Sequence, residues 1–184
     1  NAPTNPAFLL RYLYGKNREE KTAANRQQEP WNGFSAFNFL LPRHIFMELK
    51  FDENLSEYGH EDTLFGNELK YRCIPVQHTD NAATHLGLDS SQEFLAKTKK
   101  GVENLRKLID AGLVDEDVKL YAWYAKTHMF FANALLGAMY KRFYATWEAQ
   151  LCGKNPTLKL FDLYKLAYLC TLPVHHRKPP ERKI

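Results

Sequence analysis

Tyr58-Gly59-His60-Glu61-Asp62-Thr63 places two adjacent carboxylates directly behind a glycine, at what reads as a loop-to-helix junction. A helix N-terminus favours the ionised form of an acid placed there, and an ionised carboxylate held at a cleft can accept a proton. Acids in a first helical turn are also ordinary capping residues, so the pair alone does not define an activity. His78-Thr79-Asp80-Asn81 and His85 form a second group, since imidazole and carboxylate are ligand types suited to Mn²⁺ or Zn²⁺. Read singly, the two histidines are ordinary loop residues. Asp115-Glu116-Asp117 is a literal Asp-x-Asp, but it follows one helix and opens another, which suits a capping cluster.

The elements that must position these groups are legible as patterns. Phe8–Tyr14 reads as a short helix ending at Gly15, and Pro30-Trp31-Asn32-Gly33 as a turn. The apolar run Phe34–Leu41 and the short segment Ile74–His78 read as strands, the second an edge or entry strand because of Pro75. Helices are expected over Arg43–Leu49, over Glu61–Arg72, and from a Ser90 or Ser91 cap with Glu93 in the first turn to Ala111, where Gly112 stops it. Residues 117–150 and Leu158–Leu172 read as aromatic helices apolar enough to be buried against something. The fold class expected is α+β, mainly helical, with a small sheet. Its organisation is expected as a segment 1–30, a part 31–112 carrying the acids, and a helical region 113–184 with a basic tail.

Composition narrows the classes. The chain has 184 residues with 45% hydrophobic and 25% charged, long enough to bury a core and too apolar for disorder. A net charge of +4 without a recognition motif gives no ground for a nucleic-acid partner. Cys73, Cys152 and Cys170 are too far apart for a zinc ribbon or a disulfide scaffold, and reduced thiols point to a cytoplasmic setting. The longest apolar run, Met129–Met139, is too short to span a bilayer and contains Asn133. The opening Asn1-Ala2 matches the remainder of a cleaved expression tag.

In order along the chain, Phe37-Asn38-Phe39-Leu40-Leu41-Pro42-Arg43, Phe51-Asp52-Glu53, Tyr58-Gly59-His60-Glu61-Asp62-Thr63, His78-Thr79-Asp80-Asn81 and His85-Leu86-Gly87-Leu88 resemble the acceptor-side half of a family 2 glycosyltransferase of the GT-A fold. The arrangement is similar to bacterial enzymes of surface-polysaccharide synthesis, those of Bacteroides-type organisms in particular, and to the C-terminal module of galactosyltransferases. It covers about residues 30–110. The resemblance implies an inverting transfer from a nucleotide-sugar donor to a glycan or lipid-linked acceptor. Asp62 would be the general base and Glu61 its neighbour on the acceptor, with Asn38, Tyr58 and His60 around the substrate. A divalent metal, Mn²⁺ or Mg²⁺, would be completed by His85, with His78 in reserve. The strands and Asp-x-Asp that bind the nucleotide in such enzymes have no counterpart before residue 34, so the chain reads as the second half of an enzyme.

Two other classes fit the same residues. One is a binding or assembly module that does no chemistry. The other is a metal-dependent hydrolase built on His60, Glu61, Asp62, His78, Asp80 and His85. The aromatic helices 117–172 are expected to leave apolar surface that mediates self-association or, with the basic tail, peripheral contact at the inner face of a membrane.

Overall fold

The computed structural model describes residues 3–49, 59–81, 83 and 87–174. The expected small sheet is overturned: the described residues form eight α-helices and no strand, so the fold is all-helical rather than α+β and the sheet of a partial GT-A domain is not formed. The helices are α1 (Leu9–Tyr14), α2 (Ala23–Gln27), α3 (Arg43–Leu49), α4 (Glu61–Tyr71), α5 (Ser91–Asp110), α6 (Lys119–Met129), α7 (Asn133–Leu151) and α8 (Leu158–Leu169). They divide into two compact units, residues 20–86 and residues 1–19 with 87–184.

In the unit of residues 20–86, the reason no strand forms is visible at Ile74–His78. The segment is extended, but its backbone groups are taken by side chains. The Gln27 carboxamide accepts from the His78 N–H at 2.8 Å and donates to the Val76 carbonyl at 3.1 Å, and the Trp31 indole N–H donates to the Ile74 carbonyl at 2.8 Å. One amide side chain thus occupies the place a neighbouring strand would fill. Phe34–Leu41 is a run of turns rather than a strand. Phe34 bonds back to the Trp31 carbonyl, Phe34 and Phe39 gather on Phe65 of α4, and Leu40 is 99% exposed. Gly66 of α4 lies under the Trp31 carbonyl: a Cβ there would stand 2.5 Å from that backbone oxygen.

The other unit is a helix assembly in which α7 packs on α8 and α5 closes the side. Its buried centre is Leu10, Leu95, Tyr140, Leu151, Phe161, Tyr164 and Ala167, brought together from α1, α5, α7 and α8. Tyr14 stands over Phe94 and edge-on to Phe161, so the short α1 is held by rings rather than by its own length. Helix α5 starts as expected, with Ser90 and Glu93 in a reciprocal capping box. Asp115 does not cap α6: its carboxylate accepts from the Asp117 N–H, and the cap position is Val118. The continuous helical stretch expected over 117–150 is broken at residues 130–132.

Three helices end in the same way. After α4, α5 and α6 one residue adopts a left-handed backbone, and its own N–H and the next one donate to carbonyls of the last turn: Cys73 and Ile74 to Lys70 and Leu69, Gly112 and Leu113 to Ile109 and Leu108, Phe131 and Ala132 to His128 and Thr127. Glycine is the favoured residue there, and only α5 has it. At Cys73 (φ 55°) and Phe131 (φ 56°) a side chain occupies a conformation that costs about 1 kcal/mol or more.

Gly66→Ala should destabilise the chain by about 1–3 kcal/mol, because backbone cannot yield as a side-chain tip does. Urea unfolding followed by helical circular dichroism measures it; an unchanged midpoint would show that the Trp31 turn is not pressed on α4.

Candidate functional site

The residues singled out for chemistry lie in the unit of residues 20–86. Glu61 and Asp62 form the first turn of α4, behind Gly59, whose φ of 102° is open to glycine and strained for any other residue. His60, at the helix cap, is left-handed (φ 74°), and its carbonyl accepts from the Leu64 N–H at 2.9 Å. The Glu61 side chain turns back and takes the Gly59 N–H on both oxygens, at 3.0 and 3.1 Å. Asp62, half-buried in the same turn, makes no hydrogen bond or ion pair among the described residues. The two acids therefore differ: one is fixed to backbone and the other is uncommitted.

Asn38 donates to the Asn81 carbonyl at 3.2 Å, tying the Phe34–Leu41 run to the loop after the extended segment. The His78 ring meets the Pro30 carbonyl through Nε2 at 2.9 Å. A carbonyl only accepts, so Nε2 carries the proton and Nδ1 is the atom left to bind anything else. Gly33 leaves room for that ring, since a Cβ would come 3.1 Å from His78 Nε2. Asp80 accepts from the Ala23 N–H at 3.3 Å and so helps to start α2. Tyr58, His85 and Phe51-Asp52-Glu53 lie outside the described residues, as does the basic tail 175–184. Among the described residues no three His, Cys, Asp or Glu side chains gather where they could hold a metal ion.

A polar network that the linear pattern did not reveal lies in the helical unit. Glu148 of α7 accepts from the Lys99 ammonium of α5 at 2.7 Å and from the Tyr164 hydroxyl of α8 at 2.7 Å, and Tyr140 approaches Tyr164 at 3.5 Å. The network borders a cavity of about 350 Å³ lined by Gln92, Leu95, Ala96, Lys99, Glu148 and Cys152. Burial raises the Tyr164 hydroxyl and the Cys152 thiol above their ordinary values. Burial would also raise Glu148, but the Lys99 and Tyr164 hydrogen bonds outweigh it and hold the carboxyl below its usual range. This is a joint between three helices. The signals that could have found it, Lys99, Glu148 and Tyr164, are isolated in sequence and meet only through packing.

No family model, curated protein or solved structure matches the chain.

A carboxyl depressed in the folded state contributes stability that is present above its unfolded pKa and lost as pH falls through its folded value. Lys99→Met removes one of the two hydrogen bonds that depress Glu148. The Tm deficit of this variant should be largest near neutral pH and should shrink as acid protonates Glu148 in both proteins. A deficit independent of pH would place the role of Lys99 in its packing alone.

Proposed function

We propose that this chain carries the acceptor-binding and proton-accepting part of an inverting glycosyltransferase, acting between a nucleotide-sugar donor and a hydroxyl of a glycan or lipid-linked acceptor. The observation that carries the reading is the unequal pair at the start of α4, where Glu61 is bound through both oxygens to the Gly59 N–H and the half-buried Asp62 carboxylate is unpaired among the described residues. The order of motifs around the pair supports the same reading through the resemblance; the fold does not enter it.

The resemblance supplies the chemistry. Asp62 takes the proton of the acceptor hydroxyl as its oxygen attacks the anomeric carbon. The bond from that carbon to the diphosphate breaks, the electron pair leaves with the nucleoside diphosphate, and the configuration inverts. Glu61, anchored to Gly59, fixes the turn that aims its neighbour. A one-ångström shift of a general base is costly, which gives the rigid Gly59–Glu61 link a purpose beyond capping.

Asp62→Asn preserves size and removes basicity. In the polypeptide as its gene encodes it, transfer should fall roughly 10²–10⁴-fold while the thermal midpoint hardly moves. Release of nucleoside diphosphate in the presence of acceptor measures the first, and circular dichroism the second. Glu61→Gln keeps one acceptor oxygen for Gly59 and should lose less. Full-rate transfer by the Asp62 variant would sink the assignment.

A further inference from the structure

The break between α6 and α7 exposes a run of large apolar side chains. Met129, Phe130, Phe131 and Leu135 are 65%, 73%, 91% and 64% exposed, and Trp123, two turns earlier on α6, is exposed as well. Phe131 sits at the left-handed position after α6, where glycine would serve the backbone better. Side chains this apolar at a helix junction are more than scattered surface hydrophobics, since they are contiguous in sequence and join two helix ends.

The charges around the break have one sign. From Val118 to Trp147 the chain carries no Asp or Glu, but it carries Lys119, Lys126, Lys141 and Arg142, all exposed. The exposed positions of α6 are Lys119, Trp123, Lys126, His128 and Met129, with the Lys126 ammonium 5.5 Å from the Trp123 ring. Those in the first half of α7 include Leu135, Ala138, Lys141 and Arg142. Each helix therefore shows apolar side chains near the break and cations further along. No helix among the described residues is long and apolar enough to cross a membrane.

We infer that the α6–α7 break is a membrane-surface anchor, in which Phe130, Phe131, Met129 and Leu135 enter the outer part of a bilayer while Lys126, Arg142, Lys119 and Lys141 meet anionic lipid headgroups. The charge pattern selects this occupant. A two-fold contact between copies at the break would set Lys126, Lys141 and Arg142 against one another, since the exposed acids Asp115, Glu116 and Asp117 stand before the opposite end of α6. An anionic bilayer supplies the missing charge and an apolar layer beneath it, and aromatic rings suit the boundary between the two. The inference is independent of the glycosyltransferase reading.

The test uses the full chain and vesicles of phosphatidylcholine with or without phosphatidylglycerol, in co-sedimentation and tryptophan fluorescence. Binding should require the anionic lipid, weaken as salt is raised, and shift tryptophan emission to the blue. The double variant Phe130→Ser with Phe131→Gly should weaken binding on the order of ten-fold. Its thermal midpoint should be unchanged or higher, because glycine relieves the left-handed position. Lys126→Glu with Arg142→Glu should weaken binding by a similar factor and flatten the salt dependence. Failure of the wild-type chain to sediment with anionic vesicles at low salt would overturn the proposal. So would full binding by the Phe130/Phe131 variant, or a stable dimer in sedimentation velocity that this variant abolishes.

Discussion

A polar group removed from water is costly without a partner, and no sheet among the described residues supplies one here. That constraint shapes both units. In residues 20–86 the Gln27 carboxamide, the Trp31 indole and the His78 imidazole complete the hydrogen bonding of turns and extended backbone. In the helical unit the burden falls on tyrosines. The Tyr164 hydroxyl reaches Glu148, and the Tyr168 hydroxyl reaches Glu103 across to α5. These bonds fix helix positions that apolar contact leaves free to slide, because a rotated α8 would leave a buried hydroxyl without an acceptor. The apolar centre supplies the bulk of the driving force, and the hydroxyl bonds select one arrangement from the several that would bury the same rings.

The parts of the fold written in local signals could be read from the chain. The Ser90–Glu93 box, the Gly112 stop and the short helix after Pro42 depend on neighbours a few residues away. The sheet was misread because apolar, aromatic runs such as Phe34–Leu41 satisfy the composition of a strand. A strand also needs a partner, and Gln27 is no part of any periodic pattern. The α6–α7 break was missed for a related reason: nothing in Met129-Phe130-Phe131-Ala132 is a usual helix stop, and the turn uses phenylalanine where glycine is expected. At the candidate site the residue types and the junction were legible. The different bonding of Glu61 and Asp62 was not, since it depends on how the first side chain folds back on Gly59.

The carboxylate pair illustrates how little machinery separates a cap from a candidate base. Two acids in one helical turn feel the same helix dipole. The distinction arises from one glycine, whose backbone turns its N–H toward the first acid and satisfies it. The second acid remains at the same end of the helix, half-buried and without a hydrogen bond or ion pair among the described residues. Helix α4 continues into Phe65 and Leu69, which are buried, so the N-terminal turn is carried on an element anchored at its other end.

The left-handed residue that ends α4 has a practical chemical consequence. Cys73 is exposed at that position, whereas burial pushes the Cys170 thiol up to about 11 and raises the Cys152 thiol as well. Thiolate, not thiol, attacks an electrophile, so the two cysteines of the helical unit react slowly near neutral pH. A maleimide or iodoacetamide reporter would settle on Cys73 ahead of the others without any cysteine being removed. The chain thus carries its own address for a dye or spin label, at the far end of the helix that begins with Glu61 and Asp62.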